Sequence, residues 1–302
     1  MQKNVLKSGL EISELGLGCM SLGTEKKHAQ EIIERAIDLG ITYFDTADMY
    51  DKGINEKLVG EILKPYQNSE DIVNGTKVGN HLKDDGTTFW DPSKKHIKES
   101  VKSSLKNLGV DQIDLYQLHG GTIDDPLDET ISAFDELKQE GIIRAYGISS
   151  IRPNVINYYL EHSQIETWMA QFNLIDNRPE DLIQKAHQKG VKLLARGPLF
   201  KGLLTSKSNT ALDQKFEDGI FDYSYQELGS TIASLKEIEN NLSALTFNYL
   251  LSQDVLGSII AGASSVEQLE ENVKNYQTQV DLNRLHAARE RVKDLHYTNH
   301  LN

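Results

Sequence analysis

Short apolar runs alternate with amphipathic stretches along nearly the whole chain. The run 14–19 is apolar, and in KKHAQEIIERAIDLG after it Ala29, Ile32, Ile33, Ala36 and Ile37 recur at helical spacing before a C-capping Gly40. The same couple returns as strand 41–48 with helix 54–64, and as strand 71–78 with helix 91–109, where Asp91-Pro92 predicts an N-cap and a first-turn proline. It returns again as 112–120 with 125–141, 142–150 with 152–163, and 166–174 with 178–190. Strand 191–199 is followed by two helical stretches, 228–241 and 243–253, and strand 257–263 by the last repeating helix, 265–276. Residues 1–13 predict a β-hairpin turning at Ser8-Gly9, and 282–297 an extra C-terminal helix. Only 200–227 lacks a period, which predicts a functional lid or a disordered loop.

Strands joined by helical crossovers form a parallel sheet. Eight such units in 302 residues predict an α/β fold of the closed (β/α)8 TIM barrel type, and no Pro-, Gly- or Ser-rich linker divides 1–302 into more than one domain.

Composition narrows the function classes. Lys and Arg number 32 against 45 Asp and Glu, a net charge of −13, with no basic block. That speaks against nucleic-acid and anionic-membrane partners, which need clustered positive charge, but leaves small phosphorylated ligands open. Cys19 is the one cysteine, so no intrachain disulfide and no cysteine metal cluster can form. The start lacks an apolar signal core and no run reaches membrane-span length, so a cytoplasmic protein is expected. Nothing in the pattern sets an oligomeric state.

In barrels of this kind chemistry sits at the C-terminal ends of the strands. Asp45, Lys77 and His119 end the second, third and fourth predicted strands, and Tyr50 follows Asp45 by five residues. Each alone reads as a surface, cap or structural residue; together they describe a site. A nearby ammonium favours a phenolate, so Lys77 is expected to lower the Tyr50 pKa from ~10. Asp45 would be the counter-ion of Lys77, and His119 would direct a carbonyl oxygen. The set polarises a carbonyl and supplies a proton; it does not make a covalent serine or cysteine machine, and it lacks the ligands of a metal site.

FDTADMY (44–50), TKVG (76–79), DLYQLHG (114–120) and YGISS (146–150) resemble the motifs of the aldo-keto reductases. QFNL (171–174), GPLFKGLL (197–204) and IIAGASSVEQLEENV (259–273) continue the resemblance in order, so it spans essentially the whole chain from GLGCM (16–20) onward. It implies a barrel that binds NADPH, with NADH as the alternative, and reversible reduction of a small-molecule carbonyl. Hydride would leave nicotinamide C4, and Tyr50 would give the proton, tuned by Lys77, with Asp45 anchoring Lys77 and His119 orienting the substrate. It further implies that Gly18, Cys19 and Met20 border the nicotinamide and that Ser149 and Gln171 bind its carboxamide. Gly197, Pro198, Leu199, Lys201 and Lys207 would meet the pyrophosphate, and Gly262, Ser264, Gln268, Glu271 and Asn272 the adenosine end. The same stretch also reads as a helix start capped by Ser265 and Gln268, where a phosphate sits comfortably.

The chain departs from the family pattern in places. Arg196 stands where many relatives stack an aromatic ring on the nicotinamide, a place a guanidinium plane can fill. Ser150 stands where many have Asn. Gly262, Ser264 and Gln268 are neutral where NADPH users often carry Arg or Lys, so a 2′-phosphate would rest on Ser264, backbone amides and a lysine such as Lys274. Substrate choice would lie in 80–92 (with Phe89 and Trp90), 120–126, 200–227 and the tail. The rival readings are a cofactor-sensing regulatory subunit of the same fold and a Schiff-base lyase using Lys77.

Overall fold

A computed structural model describes residues 1–67, 71–83 and 87–302. Eight parallel strands close a barrel: β1 Leu15–Gly18, β2 Tyr43–Asp45, β3 Val73–Val78, β4 Ile113–Leu118, β5 Ile143–Ser149, β6 Thr167–Gln171, β7 Lys192–Arg196 and β8 Leu256–Gly262. They lie in chain order, and β8 returns to pair with β1, Ile259 opposite Leu15. The helices are α1 Lys26–Asp38, α2 Ile54–Leu63, α3 Lys94–Leu108, α4 Leu127–Gln139, α5 Pro153–His162, α6 Glu180–Gln188, α7 Ser208–Lys215, α8 Tyr225–Ile238, α9 Leu242–Leu251, α10 Val266–Gln277 and α11 Leu282–Arg291. The (β/α)8 architecture expected from the periodicity is therefore present. Among the described residues no helix is long and apolar enough to cross a membrane.

Two apolar layers hold the fold. One lies between strands and helices: Ile32, Ile33 and Ala36 of α1, for example, join Phe44 and Leu17 in the larger core. The other fills the barrel, with Tyr43, Val73, Leu115, Met169, Leu194 and Ile260 meeting Leu6, Leu10 and Ile12. These last three belong to the expected N-terminal hairpin, in which Lys3–Val5 pairs antiparallel with Glu11–Ser13. Gly9, with φ +82°, makes its turn, a left-handed conformation costly for residues with a Cβ. The hairpin closes the N-terminal mouth of the barrel.

Four local expectations are corrected. Helix α3 is capped by Ser93, whose Oγ accepts from His96 N at 3.2 Å, and not by Asp91, which accepts from Ser93 N at 3.1 Å one step earlier. Part of 80–92 is not loop but a small hairpin, Asn80–Leu82 against Thr88–Trp90; residues 84–86 of that expected loop lie outside the described residues. Of the two readings of the aperiodic 200–227, the disordered loop is overturned: the segment holds α7 and the start of α8, and Phe200, Phe216 and Tyr223 are buried. Finally, α11 stops at Arg291 instead of 297. Val292 and Leu295 continue the helical apolar spacing, but Asn177 donates to Lys293 O at 2.8 Å and accepts from Leu295 N at 2.9 Å, while Tyr223 takes Lys293 N at 2.5 Å. Tertiary partners thus satisfy the backbone that a longer helix would satisfy internally, and residues 292–302 cross the C-terminal face of the barrel.

Candidate active site

The C-terminal residues of the eight strands are Gly18, Asp45, Val78, Leu118, Ser149, Gln171, Arg196 and Gly262. Six are residues singled out in the sequence. Lys77 lies one residue before the end of β3, and His119 one after the end of β4. Parallel pairing in register brings them to one rim.

The Lys77 ammonium donates to Asp45 Oδ2 at 2.6 Å, to the Thr46 carbonyl at 2.6 Å and to the Tyr50 hydroxyl at 3.4 Å. Lys77 and Asp45 are both buried. Burial disfavours the Lys77 cation, but the Asp45 carboxylate and its neighbours hold its pKa above the ordinary value. Burial also raises the Tyr50 phenol, and Lys77 opposes this without overcoming it. The expected net lowering is thus corrected: desolvation wins, and Tyr50 stays protonated. The Tyr50 and His119 rings meet edge to face, centroids 5.8 Å apart. Burial, then the charges of Lys77 and Arg196, push the His119 pKa down to about 3, so the ring is neutral at physiological pH. Its buried Nδ1 has no hydrogen-bond partner among the described residues.

The ion pair rests on residues that sequence reasoning missed. Tyr43, fully buried inside the barrel, donates to Asp45 Oδ1 at 3.2 Å, and Gln117 Nε2 reaches the same oxygen at 3.5 Å. The Tyr43 ring fits because its neighbours lack side chains. A Cβ on Gly75 would lie 2.6 Å from the Tyr43 hydroxyl, and one on Gly16 2.8 Å from the ring. The unusual Asn74-Gly75 pair inside a strand was the sequence signal of this close approach.

Above the four residues opens a cavity of about 1110 Å³, reaching from Gly18, Met20 and Gly262 past Asp45, Tyr50 and His119 to Arg196–Gly202 and the tail 297–300. That exceeds the roughly 300–1,000 Å³ of ordinary small-ligand pockets. Its walls carry Arg152, Arg178, Arg196, Lys201 and Lys215, with Asp45 the one acid, although the chain as a whole is strongly acidic. One cation is spoken for: Arg178 pairs with the buried Asp176 at 2.7 Å. A roomy, locally cationic cleft suits a ligand carrying phosphates.

The aldo/keto reductase family model matches residues 14–290. The chain belongs to the aldo-keto reductase family. It is 51% identical over 272 residues to an oxidoreductase of Bacillus subtilis (strain 168), YqkF, covering 88% of each chain. It is 28% identical over 296 residues to the NADH-specific methylglyoxal reductase of Escherichia coli (strain K12), covering 87% of this chain and 90% of that one. In structure it is similar to the aldo-keto reductase AKR11C1 from Bacillus halodurans in its holo form, with TM-score 0.92, 44% identity and full coverage of both chains. This aldo-keto reductase is accordingly an NAD(P)H-dependent oxidoreductase of carbonyl groups.

The expected cofactor residues of this aldo-keto reductase divide into two groups. Gly18, Met20, Ser149, Arg196, Gly197, Pro198, Leu199, Lys201 and Gly262 line the cavity. The others do not. The Cys19 side chain is wholly buried, its Sγ turned to the Leu17 carbonyl at 3.6 Å, and burial pushes its thiol pKa far up. Gln171 is engaged with Asp176 at 2.8 Å. Lys207 is exposed beyond the lining, whereas Lys215, not singled out in the sequence, is part of it. Ser264, Gln268 and Glu271 are exposed at the start of α10, with Ser264 N and Oγ donating to Gln268 Oε1 at 2.9 and 3.0 Å. Asn272 is buried and donates to Gly262 O at 3.2 Å. Of the expected specificity segments, Gly120, Phe200–Gly202, Lys215 and the tail 297–300 line the cavity, but none of the described residues of 80–92 does. Phe89 stacks on His81 instead, and Trp90 packs against Gly79 and Gly120. Arg152, whose guanidinium donates to the Gly121 carbonyl, was missed.

Proposed function

We propose that this aldo-keto reductase reduces small aldehydes or ketones with NADPH, Tyr50 supplying the proton. The observation that carries this is the buried Lys77–Asp45 pair, 2.6 Å apart, with the Tyr50 hydroxyl 3.4 Å from the ammonium on the cavity floor.

When bound, the nicotinamide supplies hydride from its C4. Tyr50, kept protonated by burial, releases its hydroxyl proton to the carbonyl oxygen, and the ammonium of Lys77 stabilises the phenolate left behind. Asp45, braced by Tyr43 and Gln117, keeps Lys77 charged and in place. Neutral His119 directs the substrate oxygen. Lys201 and Lys215 would attract the phosphates, and the Arg196 guanidinium would stack on the nicotinamide. Ser149 binds the carboxamide; Gln171 would do so only by leaving Asp176. Ser264, Gln268, Glu271 and Asn272 take the adenosine end, and Lys274 assists at the 2′-phosphate.

Lys77 as a Schiff-base nucleophile is disfavoured, because an amine held charged by a carboxylate 2.6 Å away has no free lone pair. Tyr50→Phe tests the reading: reduction across a panel of aldehydes and ketones falls by about 10²–10⁴-fold, while quenching of intrinsic fluorescence still reports cofactor binding. Near-normal turnover would overturn the role of Tyr50. NADPH and NADH quenching with equal affinity would overturn the preference for NADPH.

A further inference from the structure

Outside the cavity, three metal-binding side chains from three segments meet. His81 stands on the first strand of the small hairpin Asn80–Leu82, Asp91 just after its second strand, and His96 in the first turn of α3. One ligand atom from each lies within 4.8 Å of the other two. No other group of three or more His, Cys, Asp or Glu side chains among the described residues is so disposed. The active-site residues make no use of them.

The geometry points to a site for a divalent transition-metal ion of the zinc type, bound by His81, Asp91 and His96. Two imidazoles and one carboxylate are the donor set that zinc and its neighbours in the first transition row favour, with water completing the shell. A tetrahedral shell with bonds of 2.0–2.2 Å needs donor atoms about 3.3 Å apart. The required contraction falls to His81, which is exposed on a hairpin strand. Its ring lies in a stack, 4.7 Å from Phe89 and 4.8 Å from His96, both at 18°. An imidazole binds a metal in its own ring plane, so the His81 ring has to turn out of this stack for the two histidines to share an ion.

Ser100 Oγ, 3.3 Å from the His96 ring nitrogens, can fix the nitrogen that does not bind.

Such an ion would fasten the hairpin to α3. The hairpin ends in Trp90, whose indole donates to both Asp125 oxygens at 3.0 and 2.9 Å, and whose ring lies against Gly120, a residue of the cavity wall. The ion would therefore stiffen one edge of the active site without touching it.

The test uses the full chain without a polyhistidine tag. Metal-free protein titrated with Co²⁺ should develop visible d–d absorption saturating at one equivalent, and Zn²⁺ should displace it. His81→Ala and His96→Ala should each weaken binding by about tenfold or more. Zn²⁺ should raise the thermal midpoint of the unaltered chain but not that of His81→Ala. An exposed hairpin residue does not control folding, so His81→Ala remains informative if His96→Ala fails to fold. Absence of saturable binding at micromolar metal, or binding unchanged in His81→Ala, would overturn the site.

Discussion

The two ends of this barrel are built from the same eight strands and solve opposite problems. At the N-terminal end, Leu6, Leu10 and Ile12 of the hairpin plug the interior with hydrocarbon, and the buried Glu166 beside the turn sits outside that plug, held by Ser8 N and Lys138. At the C-terminal end, Asp45, Lys77, Thr46 and Gln117 are buried polar residues hydrogen-bonded to one another beneath a cavity walled by cations. The first end draws its stability from apolar area removed from water. The second gives up stability for chemistry, because buried charges recover their desolvation cost only in fixed geometry. Tyr43 belongs to both: its ring packs in the interior core and its hydroxyl braces Asp45.

The sharpest break in this contrast is Lys77→Met. It leaves the Asp45 carboxylate buried and unpaired, and unfolding in denaturant should show a loss of about 3–5 kcal/mol. A loss below ~1 kcal/mol would mean that water reaches Asp45 and that the two ends are less different than they look. Leu10→Ala, at the other end, should cost about 2–5 kcal/mol while leaving kcat for carbonyl reduction within twofold or so of normal. A large fall in kcat would show that the plug also shapes the site.

A third test uses pH. His119 is neutral when folded, with a pKa near 3 against about 6.5 when unfolded. The unfolded chain therefore binds the extra proton between those values, so the stability His119 contributes is present above pH ~6.5 and lost as pH falls toward 3, at up to roughly 1.4 kcal/mol per unit. His119→Gln should flatten that part of the stability profile measured by denaturant unfolding; an unchanged slope would mean that His119 titrates normally. The smallest effect is expected from Gly75→Ala, whose Cβ would crowd the Tyr43 hydroxyl at 2.6 Å. It should cost about 1–3 kcal/mol and, by shifting the brace on Asp45, lower kcat more than it raises KM. A pure stability loss would detach Tyr43 from the chemistry.

The periodic apolar pattern was enough for eight strand–helix units, the hairpin and the barrel, because each unit buries a face whose spacing is written locally. That Asp45, Lys77 and His119 would meet was readable for a related reason: strand ends recur at known places in the pattern, and parallel pairing in register carries them to one rim, with Tyr50 in the turn just beyond β2. What residues alone left open was every outcome decided by competition between distant groups. Burial outweighs Lys77 at Tyr50, a balance of desolvation against charge that exists only in the folded interior. Asn177 and Tyr223 take the backbone groups that α11 would otherwise use, so the tail crosses the cavity. Cys19 turns inward, and Gln171 is taken by Asp176. Short-range pattern fixed the elements because hydrogen bonding and burial within an element are local; partnership and solvation belong to the packed whole, and those set which side chains face the ligand.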